Sequence, residues 1–304
     1  MIKSFVDNAK KLNVNIDSIF IEEKGIISKE IINDIELHEL RSCSKLLIAF
    51  AYGIILNNEN YKCKYTGEIL KLDTKVYPAL SAIYKNKIPK QVKEWTIRTL
   101  LTHSTGYEKM MFNEKHLETL DKENLLEVLF NTEIKYPTDK HFTYSNVEPY
   151  LLSIFFQENF GQNIADFVNE KIFKPLDINK FEWLNLGKYC AGATGLYLNH
   201  NDFHKLGQLL MNGGKYNKIQ VVPECWIKEM TMTQVKCPDY YKPERVLPKL
   251  NAGYHTWISR DNIVFRDGSN GQYIICDYKI NRLITIMSTQ KDMRLVTECL
   301  RGLI

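Results

Sequence analysis

Ser42 and Lys45 stand three residues apart in "RSCSKLLIAFAYGIIL" (residues 41–56), at the polar mouth of a long apolar segment. At helical spacing the two side chains share a face, so the amine reaches the hydroxyl. A serine hydroxyl is a poor nucleophile until a neighbouring base takes its proton. Lysine can be that base only if its pKa falls from about 10.4 toward 7, a change of roughly 4 kcal/mol that burial among apolar side chains can impose. The residues after Lys45 are surroundings of that kind. By itself S-x-x-K is a weak signal, because a serine at a helix start is ordinarily an N-cap.

Two further stretches fit the same chemistry. "HFTYSNVEPYLLS" (residues 141–153) sets Tyr144 and Asn146 in Y-x-N spacing just before a helix. A phenol hydrogen-bonded to a lysine passes protons between nucleophile and leaving group, and the amide can hold both the lysine and a substrate carbonyl. "FRDGSNGQYIICDY" (residues 265–278) is a glycine-rich turn beside a strand, where the missing Cβ of Gly268 lets a substrate backbone approach. Its N–H groups, with that of Ser42, suit an oxyanion hole in which each donor is worth about 3–4 kcal/mol. Each stretch also has a plain structural reading, as a helix cap or a hairpin turn.

Other reactive residues carry less. Cys43 is rotated about 100° from Ser42 on a helix and is expected to pack inside. His200 and His204 have the spacing of zinc ligands but lack the glutamate of H-E-x-x-H, so a helix surface is expected, with no metal and no cofactor. His103 in "THSTG" reads as part of a structural turn.

The elements that must position these residues follow from periodicity. "SIFIEE" (18–23) and "GIISKEII" (25–32) read as strands, followed by a helix at Ser42. Residues 60–180 lack strand alternation and carry helical patterns such as "LEVLF", "YLLSIFFQENF" and "IADFVNEKIF". Then come helices at "DFHKLGQLLMNGG" and "PECWIKEMT", and alternating runs "GYHTWISR", "NIVFRDG", "GQYIICDY" and "RLITIMST" at hairpin spacing. The end, "KDMRLVTECLRGLI", returns to helical spacing. The expectation is a mixed α/β (α+β) fold: an antiparallel sheet built from both ends of the chain and flanked by terminal helices, with an all-helical lobe inserted. The mixed lobe is expected over 1–59 and 181–304, the helical lobe over 60–180, with a cleft between. Residues 236–249, rich in proline and charge, read as a surface loop.

Composition narrows the function classes. The 304 residues are 44% hydrophobic and 25% charged, as in an ordinary globular protein. A net charge of +4, from 40 basic and 36 acidic residues scattered among one another, argues against nucleic acid as a partner. The most apolar run, 46–56, is too short for a membrane span. The first 15 residues read as an amphipathic helix and not as an export signal, and seven unpatterned cysteines suit a reducing compartment. The expected location is cytoplasmic.

The order of these pieces, with "LLTHSTG" between the first two and "TYSNVEPYLLS", "ADFVNEKIFKPLDI", "AGATGLYLNHNDFHKLGQLLMNGGKYN" and "GQYIICDYKINRLITIM" after it, resembles the serine β-lactamase-related hydrolases. That group contains class C β-lactamases, D-alanyl-D-alanine carboxypeptidases and related esterases and amide hydrolases. The resemblance runs from about residue 37 to 290. It implies a β-lactamase/transpeptidase-like fold, Ser42 as acylated nucleophile, Lys45 as its base, Tyr144 as proton shuttle and Asn146 as positioning partner. Where such enzymes carry Lys-Thr-Gly or His-Thr-Gly, this chain has Arg266, Asp267 and Gly268, then Ser269. Asp267 adds a negative charge that can neutralise the arginine. The implied activity is cleavage of a small ester or amide through an acyl-enzyme, with a β-lactam second and a D-alanyl peptide third. The alternative is a penicillin-binding or acylated sensor protein with little turnover.

Overall fold

The computed structural model describes residues 1–239 and 245–304. Of the expected surface loop at 236–249, residues 240–244 lie outside the described residues. In the remainder Cys237 and Leu247 are buried, so that segment is not a purely solvated loop.

Eight strands form one antiparallel sheet: β1 (Ile16–Glu23), β2 (Ile26–Ile31), β3 (Val235–Lys236), β4 (Asn251–Ala252), β5 (Trp257–Ile258), β6 (Val264–Asp267), β7 (Tyr273–Asp277) and β8 (Arg282–Ser288). Their order across the sheet is β3-β4-β5-β6-β7-β8-β1-β2. Both ends of the chain meet where β1 pairs with β8, Ile19 opposite Ile286 and Phe20 opposite Thr285. Alternation sorts the faces. Ile19, Ile275 and Ile286 pack with Phe5 of α1 (Ile2–Lys11) and Val296 of a C-terminal helix (Met293–Cys299). Ile274, Cys276, Leu283 and Met287 face the larger core beneath α2 (Lys45–Leu56). Between residues 40 and 181 no named strand forms, and helices such as α3 (Val147–Phe160) predominate.

The α2 helix is buried almost all round, from Lys45 to Gly53 and again at Ile55. Each fully buried Leu, Ile or Phe contributes about 2 kcal/mol from water exclusion. Gly53 is required: a Cβ there would lie 2.1 Å from the Trp226 ring, whose N–H donates to the Ala49 carbonyl at 2.9 Å. Tyr52 ties this helix to α3 through the Leu152 carbonyl at 2.8 Å. The helix does not start at Ser42. Arg41 takes a left-handed φ of 51°, and residues Arg41–Ser44 form a 3-10 turn before the α-helix begins at Lys45. Strain of this kind persists where surrounding structure over-determines it.

Candidate active site

The 3-10 turn places Ser42 over Lys45, because side chains at i and i+3 eclipse in that geometry. Lys45 Nζ lies 3.0 Å from Ser42 Oγ, 2.7 Å from Asn146 Oδ1 and 3.3 Å from the Ala193 carbonyl. The two carbonyl oxygens can only accept, so a neutral amine gives its two N–H groups to them and turns its lone pair to the Ser42 hydroxyl. Burial, and after it the Arg266 cation, holds Lys45 well below the usual lysine pKa, while Glu148 and Asp267 pull the other way. Ser42 makes no N-cap bond; the hydroxyl bonded to the turn is that of Ser44, which donates to the Arg41 carbonyl at 2.6 Å. Cys43 is buried as expected, with its thiol toward the Gln272 carbonyl and its pKa raised by burial.

The Y-x-N segment is held by its own backbone contacts. Asn146 donates to the Phe112 carbonyl at 2.8 Å, and the Ser145 hydroxyl bridges the N–H and carbonyl of Met111. This fixes the Asn146 oxygen toward Lys45. Tyr144 differs from the expectation of a phenol bonded to lysine. The Lys45 nitrogen lies over its ring, 4.9 Å from the centroid, and the phenol oxygen accepts instead from the Arg266 guanidinium. Burial raises the Tyr144 pKa, against which Arg266 and a bond with Ser42 work to lower it.

Arg266 on β6 is 1% exposed, and its Nε also donates to the Ser42 carbonyl at 2.9 Å. One planar fork therefore joins the Ser42 turn to the Tyr144 phenol, which a lysine point charge cannot do. Asp267 does not serve as the arginine's counterion in the way expected. Alternation points it to the opposite face, where it pairs with Lys249 at 2.7 Å and accepts from Trp257 Nε1 at 2.8 Å. Burial pushes its carboxyl up, but Lys249 first and Arg266 second pull it below the usual aspartate range. The close approach that Gly268 permits is that of the chain itself: a Cβ would lie 2.6 Å from the Leu40 carbonyl. Ser269, exposed, lines a cleft of about 630 Å³ together with Ser42, Asn146, Arg41, Leu186 and Tyr197.

Three residues at or behind this site escaped the sequence reading: Glu148, His255 and Lys249. Glu148 is 1% exposed and accepts from Thr105 at 2.7 Å, with His103 Nδ1 at 3.0 Å. A lone carboxylate inside "NVEPYLLSIFF" was the available signal. His200 and His204 are not on a helix surface. Both are buried, with Ser18 and Thr285 on His200 and Thr285 and Glu22 on His204, because their helix packs on the sheet. Among the described residues no three metal-ligating side chains stand together, and no helix is long and apolar enough to cross a membrane.

A sheet of eight antiparallel strands, with a buried helix bringing serine and lysine under the Tyr144 loop and the Arg266 strand, defines a protein of the β-lactamase/transpeptidase fold. The match to the Beta-lactamase family spans residues 32–299, and the chain belongs to that family. Solved structures share the fold. The octameric penicillin-binding protein homologue from Pyrococcus abyssi superposes with a TM-score of 0.74 at 17% identity, over 99% of this chain and 76% of that one. The class C β-lactamase from Rhodobacter sphaeroides gives 0.68 at 16%, over 99% and 98%. EstCE1, a hydrolase with promiscuous acyltransferase activity, gives 0.72 at 14%, over 99% and 98%. A search of curated proteins returned no match.

Proposed function

We propose that this protein is a serine hydrolase that cleaves a small ester or amide through an acyl-enzyme on Ser42. The observation that carries the reading is the set of three Lys45 contacts, which leaves a neutral amine only Ser42 to take a proton from. Ser42 Oγ attacks the substrate carbonyl carbon as its proton passes to Lys45. The N–H groups of Ser42 and Ser269 receive the negative charge that develops on the carbonyl oxygen. The carbon–leaving-group bond then breaks, with Tyr144 delivering a proton to the departing oxygen or nitrogen. Water attacks the acyl-serine, gives its proton back through the same groups and releases the acid, restoring the Ser42 hydroxyl. Asn146 orients the lysine throughout.

The preference for a neutral ester or amide is supported by the commitment of two Arg266 nitrogens to Ser42 and Tyr144, which weakens its claim on a substrate carboxylate. A neighbour described as a hydrolase with acyltransferase activity supports acyl transfer as the reaction type. The reading carries two companions: a division into a mixed lobe (1–59 and 181–304) and a helical lobe (60–180) with the cleft between, and residence in the cytoplasm, consistent with seven unpaired thiols. The test is incubation with a fluorophosphonate and, separately, p-nitrophenyl acetate. The expected results are an adduct mapped to Ser42 and a product burst, both absent in Ser42→Ala. A Ser42→Ala variant that labels and turns over like the parent refutes the mechanism.

A further inference from the structure

The mechanism above leaves unused a row of buried titratable groups directly behind it. Glu148, at the first turn of α3, has both oxygens engaged: one accepts from Thr105 at 2.7 Å, the other meets His103 Nδ1 at 3.0 Å. His103 Nε2 in turn meets His255 Nδ1 at 3.1 Å, across 152 residues of chain. His255 Nε2 is buried with no partner among the described residues. Both histidines hold a left-handed φ of 54°, a region that histidine enters more readily than most side chains. The row abuts the site, since the His103 and Tyr144 rings are 5.0 Å apart and Lys45 lies over the same tyrosine.

We propose that Glu148, His103 and His255 form a buried proton-sharing chain that governs how readily Lys45 serves as base for Ser42, with Glu148 as a positioning residue that holds the exchangeable proton. This rests on the reading of Lys45 as that base. Donor and acceptor roles allow two arrangements. With Glu148 ionised, His103 donates to it from Nδ1 and accepts at Nε2 from His255 Nδ1–H, leaving a bare lone pair on His255 Nε2. With Glu148 protonated, it donates to His103 Nδ1, His103 donates onward from Nε2, and His255 carries its proton on Nε2. One proton on Glu148 therefore flips both tautomers while both rings stay neutral, as burial requires of them. Burial raises the Glu148 carboxyl to about 7, against the pull of Thr105 and Lys45.

The coupling to catalysis is electrostatic. Ionised Glu148 stabilises the ammonium form of Lys45 and so opposes its use as a base; protonated Glu148 removes that opposition. The other charges facing Lys45 are Arg266 and Asp267 on β6, with the Cys43 thiol from its own turn; Lys45 and Arg266 also face both histidines. Against the positive charge of Arg266, Glu148 is the counterweight that can be switched.

The experiment measures fluorophosphonate labelling of Ser42 against pH in the parent and in Glu148→Gln, whose amide can still accept from Thr105 and donate to His103. In the parent the rise with pH is spread over two linked protonations. In the variant it becomes a single titration and reaches its plateau about one pH unit lower, a change of about tenfold in proton affinity. Superimposable curves overturn the proposal. Absence of Ser42 labelling in the parent at every pH overturns the nucleophile reading instead. A second measurement on the parent chain does not depend on the variant folding: histidine-ring nitrogen NMR, in which His103 and His255 exchange tautomers together near pH 7. Rings that keep one tautomer from about pH 5 to pH 9 overturn the chain.

Discussion

The Lys45 nitrogen lies 3.0 Å from the Ser42 hydroxyl oxygen, and apart from that hydroxyl its neighbours at hydrogen-bond distance are the Asn146 and Ala193 carbonyl oxygens, which only accept. A lysine so placed contributes little to stability. Its charge is penalised by burial, and its neutral form is held in one orientation.

Replacing Lys45 with methionine therefore separates activity from stability. Methionine fills the same buried space without a group to desolvate, so acylation of Ser42 falls by about 10²–10⁴ while the melting temperature stays level or rises. The pH dependence of stability changes as well. Because the folded pKa of Lys45 is depressed, the folded state disfavours its charge; this penalty is full below the folded pKa and disappears as pH rises toward the unfolded value. The parent thus gains stability with rising pH in that window, and the variant loses that slope. Thermal melts across pH beside labelling rates check both halves.

Arg266 tests the link between nucleophile and phenol. Arg266→Lys keeps a positive charge but cannot reach the Ser42 carbonyl and the Tyr144 oxygen at once, so acylation slows by about tenfold or more with its pH profile in place. Arg266→Met removes the charge too. As Arg266 is the main cation depressing Lys45, the lysine then loses its proton at higher pH and the acid limb of the rate profile moves up. Rate–pH curves for the two variants distinguish geometry from charge. Equal profiles in both would deny Arg266 an electrostatic role.

What was legible in the sequence was local. Ser42 and Lys45 are one turn apart, Tyr144 and Asn146 two residues apart, and the four long strands β1, β2, β7 and β8 have alternation that survives in six or so residues. The 3-10 entry at Arg41–Ser44 was not legible, because i and i+3 share a side in both helix types and spacing cannot separate them. Nor were β3 and β4, two residues each and too short to show a period, whereas the run "GYHTWISR" did mark β5. The electrostatics of the site were hidden for another reason. Glu148 acts on His103, 45 residues away, His103 on His255 at 152, and Asp267 on Lys249 across the sheet edge. Such pairs have no spacing rule, and reading Asp267 as counterion to adjacent Arg266 overlooked that neighbours on a strand face opposite sides.

The Asp267–Lys249 pair can be tested by breaking it in two ways. Asp267→Asn keeps an oxygen for the Trp257 N–H but leaves the Lys249 ammonium against the Trp257 ring, 4.4 Å from its centroid, without a counterion. Removing one partner of a buried pair costs about 3 kcal/mol, mainly through the charge left behind. Adding Lys249→Met removes that charge, so the double variant recovers much of the loss, and the two substitutions are non-additive. Urea unfolding midpoints of parent, both singles and the double provide the cycle. The pair lies beside the site, with the Lys249 nitrogen 6.0 Å from the Tyr144 ring centroid and Asp267 raising the Lys45 pKa; because the double variant removes one charge of each sign, its acylation stays within about tenfold of the parent. A double variant as unstable as Asp267→Asn alone would mean that the carboxylate acts through something other than Lys249.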